Sequence, residues 1–279
     1  MDNGNGLMNL AYTSIVLILV VFVSDTVNAQ QFGRGRGGQR TMPDRSSFPM
    51  WENADGFERD VFTFARIKYT PHYFRGWDGD YPEADWNISY RLQELTSMKV
   101  NPYPVTLELT DPDLTNYPFI FIIAPRSVIF TDAEAEALRA YLLNGGFLMV
   151  DEFWGKEQWD HFYRQIKRVF PNREPRELSL DHEIFHNVYD FQEKPQVVAI
   201  HFWRQGYTYH PVPGIENDPD PHFYGIFDDQ GRMMALLCHN NDLVDGWERE
   251  DDDEGFFRQF SEKSSYPMGI NIITYAMTH

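Results

Sequence analysis

From Phe57 onward the apolar positions alternate between two periods. Short runs rich in β-branched and aromatic residues, "VFTFARIKY" (61–69), "VTLEL" (105–109) and "PFIFIIA" (118–124), have strand composition. The last is apolar at every position after its proline, as a strand covered on both faces would be. Between them, "DWNISYRLQELTSM" (85–98) sets Ile88, Leu92 and Leu95 on one helical face. "TDAEAEALRAYLLNGG" is punctuated at both ends: Thr131 and Glu134 form a capping box, and Asn144-Gly145 supplies a left-handed stop. "FLMVD" follows as a strand, and then "GKEQWDHFYRQIKRVF" carries Trp159, Phe162, Ile166 and Val169 in a stripe whose spacing assigns it to core packing.

In the last third, "QVVAIHF" (196–202), "HFYGIFD" (222–228) and "RMMALLC" (232–238) read as strands, the last two joined at Asp229-Gln230-Gly231 as a hairpin. "YPMGINIITYAMTH" (266–279) opens a helix at Pro267, with Ile270, Ile273 and Met277 on one face. Strand–helix alternation closed by a hairpin and a helix predicts one α/β domain: a three-layer sandwich with a mostly parallel central sheet and a C-terminal β-hairpin.

The first 56 residues have a different texture. Residues 11–23, "AYTSIVLILVVFV", are an apolar run, and "VNA" at 27–29 is a small-residue cleavage pattern, so 1–29 reads as a signal peptide even though the leading "MDNGNGLMN" has no basic residue. The run is short of the about 20 residues a permanent span needs. Residues 30–56 are rich in Gly, Arg, Ser and Pro and lack a hydrophobic period, which makes them a flexible linker. "GRGRGG" (33–38) is a spacer on this reading, because a phosphate-cradling loop must leave a strand and open a helix. The folded domain is therefore 57–279, and the expected location is periplasmic or secreted, with no permanent transmembrane segment after cleavage.

Composition narrows the functions. A formal charge of -18 with no contiguous basic face in the domain excludes a nucleic-acid surface. Cys238 is the single cysteine, which rules out an intramolecular disulfide and a Cys-based zinc cage and leaves packing to hold the fold.

In an open parallel sheet, ligands sit beyond the carboxyl ends of the strands. That rule selects Trp77, Asp80, Arg126, Trp154, Trp203, Asp242 and Trp247 as candidate ligand-binding residues. Asp151, Glu152, His201 and His239 are the candidate catalytic groups, since carboxylates and imidazoles can divide acid and base roles. The alternative for each is helix capping or pairing with Arg126 or Arg204. "HNNDLVDGWEREDDDEG" (239–255) lacks the order of an EF-hand loop and reads as a solvated acidic face. "HEIFH" (182–186) matches H-E-x-x-H literally, but its flanks predict a loop or single turn and not the long helix that zinc catalysis uses. No metal or cofactor is assigned. The sequon at Asn87 falls inside a predicted helix, and Cys238 with its neighbour His239 points to opposite strand faces, so neither marks a site.

The phrases "FTFARIKY", "YRLQELTSMKVNP", "LTDPDLTNYPFIFI", "LLNGGFLMVDEFWG", "DHEIFHNVYD", "EKPQVVAIHFW", "HNNDLVDGWERE" and "YPMGINIITYAMTH" together resemble the bacterial domain-of-unknown-function family 4159 over about residues 57–279. The organisation is similar to the flavodoxin-like, class I glutamine amidotransferase-like superfamily, including trehalose-utilisation-like proteins. That resemblance implies a nucleophile turn after "FLMV", where amidotransferases hold cysteine. Here the position is Glu152, give or take one, so glutamine hydrolysis is not expected. The leading expectation is an exported envelope protein whose non-catalytic domain binds a partner protein or a saccharide-like ligand, with aromatic rings at loop tips. The alternatives are a carboxylate/His-dependent hydrolase or lyase, with or without a metal, and a structural assembly component.

Overall fold

A computed structural model describes residues 44–53, 60–70 and 76–279. Seven strands form one sheet: β1 (Ala65–Ile67), β2 (Val105–Leu107), β3 (Phe119–Ile123), β4 (Phe147–Phe153), β5 (Arg176–Glu177), β6 (His222–Phe227) and β7 (Met233–His239). Their order is β2-β1-β3-β4-β7-β6-β5. The first five in that order run parallel, while β6 is antiparallel to both β7 and β5. Chain order reverses between β1 and β3, which is where a doubly wound sheet opens a crevice at its carboxyl edge. At that edge the buried Tyr69 hydroxyl donates to the carbonyls of Ile123 (2.7 Å) and Ala124 (3.0 Å).

Strand alternation splits the core in two. Phe119, Phe121, Phe147, Met149, Leu236 and Cys238 face the layer containing α1 (Glu83–Leu95) and α7 (Tyr266–Thr278). Ile120, Ile122, Leu148, Val150 and Leu237 face α2 (Asp132–Leu143) and α3 (Gly155–Val169). The result is the expected three-layer, flavodoxin-like α/β sandwich. The capping box on α2 is formed as its sequence requires. Shorter helices α4 (Ile200–Trp203), α5 (Asp245–Glu248) and α6 (Glu254–Phe256) lie in the C-terminal third, and π-helical turns over Phe257–Ser265 lead into α7.

Three expectations fail for identifiable reasons. "QVVAIHF" is not a strand: the N–H groups of Val197, Ala199 and Ile200 donate to the side chains of Asn241 (2.9 Å), His210 (3.0 Å) and Asp245 (2.6 Å), so side chains replace a ladder. Leu95 and Met277 end their helices at the surface, 50% and 41% exposed. The acidic stretch read as a solvated face is buried over residues 239–248. Residues 1–29, expected to be a signal peptide, and "GRGRGG" lie outside the described residues. The part of the linker at 44–53 rests on the domain: Trp51 Nε1 and Asn53 Nδ2 both donate to the Val100 carbonyl, at 2.7 and 2.8 Å, and Phe48 packs on Trp86. No described helix is long and apolar enough to cross a membrane.

Candidate functional site

The carboxyl edge of the sheet is marked first by its backbone. Asp80, Ala124, Glu152 and Asn240 are the four non-glycine described residues with positive φ, at 56°, 51°, 62° and 54°. They stand after β1, directly after β3, near the end of β4 and directly after β7. The left-handed region costs a residue with a Cβ roughly 1–2 kcal/mol. Such strain survives where the surroundings impose it, and it gathers at functional sites. At Glu152 the source is visible. Val150 pairs with Leu237 and Phe153 with His239, so β4 carries an extra residue opposite Cys238. A bulge of this kind re-aims a side chain.

Glu152 is held by Arg126, whose Nη1 donates to its Oε1 (3.0 Å) and to its carbonyl (3.1 Å). Asp151, one residue earlier, is fully buried; its Oδ2 accepts from Val244 N (3.0 Å), and Oδ1 has no hydrogen-bond partner. Burial, with a smaller push from Glu152, raises its pKa to about 8. Asp151 therefore ties β4 to the turn that follows β7.

That turn carries the remaining acids. Asp242 before α5 and Asp245 and Glu248 at its two ends recur every third residue, and all three are buried. Burial first, and the neighbouring carboxylates second, push Asp245 to about 7, Glu248 to about 9 and Asp242 well above the ordinary range. Asp80 approaches from the loop after β1 and hydrogen-bonds Glu248. One oxygen of each of Asp80, Asp245 and Glu248 falls within 4.8 Å of the others, a spacing found nowhere else among the described residues and one that would suit a cation. The charge facing them is Arg249, with its Nη2 at 2.7 Å from Glu248 and its Nε at 3.6 Å from Asp245. We read the trio as an arginine–carboxyl cluster and not as metal ligands.

Arg66 positions this side of the site. It is buried in β1, grips Asp85 of α1 with Nε and Nη2, and donates through Nη1 to the carbonyls of Trp77 (3.1 Å) and Gly79 (2.6 Å). Asp80 is thus presented by a loop pinned to the sheet. The rings of Trp77 and Tyr81, both half-buried, lie 5.5 Å apart, with Lys68 over the first and Arg66 over the second.

The other candidates part company. His239 lies on the α3 face, donating Nε2–H to Gly155 O (3.1 Å) and packing on Trp159 and Phe153; burial lowers its pKa to about 4. His201 is exposed on α4, its ring 6.5 Å from that of His210. Trp247 and Trp154 are 0% and 1% exposed, so neither is a loop-tip ring: Trp247 packs on Phe64 and Phe121 in the core, and Trp154 stacks on His210 at 4.1 Å. Trp203 is half-buried against Phe256, its Nε1 donating to Gln259. "HEIFH" forms one turn in which both ring nitrogens of His186 are engaged, by Asp190 and Leu180 O, and His182 Nδ1 accepts from Ile184 N. Asn87 is buried, donating to Trp247 O, and burial holds Cys238 as an inert thiol.

Sequence reasoning missed His210, Asp245 and Glu248. His210 sits in a Pro/Gly loop with no periodic signal. The two acids had one: Leu243, Val244 and Trp247 interleave with them, and a solvated face does not carry that much apolar side chain.

Fold and site together define a doubly wound α/β protein with a cluster of buried carboxyl groups at the carboxyl edge of its sheet. A family model described as domain of unknown function DUF4159 matches residues 63–277, and the chain belongs to that family. Comparison with curated proteins returns no match.

Proposed function

We propose that this is an exported hydrolase or lyase that cleaves a saccharide-like, polyhydroxylated substrate by acid–base catalysis in the strand-end crevice. The observation that supports it most is the pairing of unlike carboxyl groups there: Glu152 is ion-paired to Arg126, while Asp242 and Glu248 are pushed toward the protonated form. Groups driven apart in this way supply the base and the acid that bond cleavage needs. For hydrolysis, a crevice carboxyl gives its proton to the leaving oxygen as the C–O bond breaks. Water gives its hydroxyl to the carbon and its proton to Glu152. Carboxyl groups that exchange hydrogen bonds with hydroxyls, on the same edge of the sheet as the loop that carries the half-buried Trp77 and Tyr81, suit a sugar-like substrate.

By analogy with class I glutamine amidotransferase-like domains, Glu152 takes the place of their nucleophilic cysteine, which replaces acyl chemistry with proton transfer. Incubation with cello-, chito-, xylo- and malto-oligosaccharides tests the reading. Release of reducing ends or of unsaturated product, lost in Glu152→Gln with an unchanged melting temperature, supports it. Binding without turnover would overturn it in favour of a non-catalytic ligand-binding domain. The burial of Trp154 and Trp247 favours a third reading, a structural assembly component, which would show neither binding nor turnover.

A further inference from the structure

The sheet ends at β5, and one imidazole ties that end to its surroundings. His222 opens β6 with each ring nitrogen hydrogen-bonded to a carboxylate: Nδ1 is 2.9 Å from Oε1 of Glu177 in β5, and Nε2 is 3.0 Å from Oδ1 of Asp218 in the loop before β6. The imidazole is 15% exposed, whereas the side chains of Glu177 and Asp218 are 41% and 62% exposed and keep their water. A solvated carboxylate only accepts, so both nitrogens must donate, and a ring that donates from both is the imidazolium. A neutral ring has one N–H and one lone pair. The lone pair repels a carboxylate, so one arm must part when the ring loses its proton.

We propose that Glu177, His222 and Asp218 form a pH-sensitive clasp, closed while the His222 imidazolium donates to both carboxylates and opened at its Asp218 arm when the Nε2 proton passes to water.

The Asp218 arm opens because the other is held. Glu177 is set in β5 by its pairing with Tyr224 and is gripped by Nζ of Lys194 at 2.7 Å. Among the described residues Asp218 has no cation but His222, and it turns to water without moving a strand. Its loop reaches the carboxyl edge through Asn240, left-handed after β7. Nδ2 of Asn240 donates to the carbonyls of Asp218 and Asp220, both at 2.9 Å, and its Oδ1 accepts from the N–H of Gly155 at 2.8 Å, at the start of α3. The clasp therefore bears on the carboxyl edge whatever reaction that edge performs.

The remaining neighbours leave the charge to His222. The ring of His239 in β7 lies 5.8 Å away and within 23° of parallel, that of Tyr224 in β6 lies 5.7 Å away, and Trp159 of α3 packs on both. Burial holds His239 at about 4 and Tyr224 at about 12, so neither changes charge near pH 7. Against the cost of burial, Glu177 and Asp218 raise the pKa of His222. The stabilisation from such a group is complete below its unfolded value, about 6.5, and is lost as pH rises through the folded value.

Long-range ¹H–¹⁵N spectra of ¹⁵N-labelled protein, with His222 assigned by its absence in His222→Gln, read both nitrogens. At pH 6.5, where a free histidine is half ionised, both should carry protons. Above the midpoint Nδ1 should keep its proton and Nε2 should lose it. The N–H of Asp218, bonded to Ile215 O, should lose about two- to fivefold in exchange protection, the range of an exposed ion pair. The side-chain amide signals of Asn240 should shift at the same midpoint. Asp218→Asn, a change at an exposed position, should lower the midpoint and remove both of these responses. A ring half ionised or neutral at pH 6.5, a midpoint unmoved in Asp218→Asn, or loss of the proton from Nδ1 in place of Nε2 overturns the proposal. A midpoint that falls in Asp218→Asn with no wild-type response at Asp218 or Asn240 also overturns it, since the contacts would then be a static surface ion pair.

Discussion

Replacing Asp151 with asparagine should make the protein more stable at neutral pH, against the usual consequence of altering a buried charged residue. Asp151 is 0% exposed, one of its oxygens has no hydrogen-bond partner, and its pKa is raised to about 8. A free aspartate titrates near pH 3.9. Between those values the folded state holds a proton that the unfolded chain has released, so stability is greatest at low pH and falls as pH rises toward 8. The slope for one proton is about 1.4 kcal/mol per pH unit, which gives ~3 kcal/mol lost from this group between pH 5 and pH 7. Asparagine keeps an oxygen for Val244 N and never ionises, so the loss disappears in the variant. Asp245 and Glu248 also have raised pKa values, but their slopes are common to both proteins. Urea unfolding of the wild type and Asp151→Asn at pH 5, 6 and 7 measures the difference directly. The gap should move by ~3 kcal/mol in the variant's favour across that range. A gap that stays constant with pH would show that Asp151 is ionised in the folded protein and would refute the reasoning.

Three further outcomes follow from the same geometry. Gly246→Ala would drive a methyl to 2.5 Å from Ser265 Cβ, so unfolding should show a loss of about 1–3 kcal/mol together with weakened turnover, because the clash moves α5 and its acids. Arg66→Lys keeps the charge but loses the two-pronged grip on Asp85 and the carbonyls of Trp77 and Gly79; ~3 kcal/mol should be lost, and hydrogen exchange should rise in residues 77–80. Glu152→Gly relieves the φ of 62° while Arg126 keeps its bond to the residue 152 carbonyl, so the melting temperature should hold or rise as turnover disappears; a fall of several degrees would mean that the carboxylate is a structural element.

The layers were legible in the sequence because they rest on local periodicity. Thr131 and Glu134 cap α2 wherever the rest of the chain goes, and the all-apolar "FIFII" must be covered on both faces. The candidate site was legible only by rule: strand ends pointed to Asp80, Arg126, Glu152 and Asp242, and these lie along the carboxyl edge. What the rule cannot give is burial. Trp154 and Trp247 have the composition of ligand platforms and the position of core residues. "DLVDGWERE" has the charge of a solvated face, yet it is folded inward because its apolar residues share the helical turns of its acids. His210 reaches Asp242 across 32 residues, and nothing local announces that contact.

The failure of "QVVAIHF" to become a strand joins these observations. A strand there would have satisfied its own N–H groups in a ladder and left Asn241, His210 and Asp245 facing other partners. Instead each of those side chains accepts from this segment, at Val197, Ala199 and Ile200 in turn. All three residues also meet Asp242: Asn241 Oδ1 accepts from its N–H (3.1 Å), its Oδ1 accepts from Asp245 N (3.3 Å), and its Oδ2 lies 3.1 Å from His210 Nε2. The backbone of residues 197–200 therefore orients the acidic turn after β7, and the bulge in β4 aims Glu152 from the other side. The tightest local departures from regular structure, in β4 and in the segment before α4, are thus the ones that place Glu152 and the acidic turn after β7 at the carboxyl edge of the sheet.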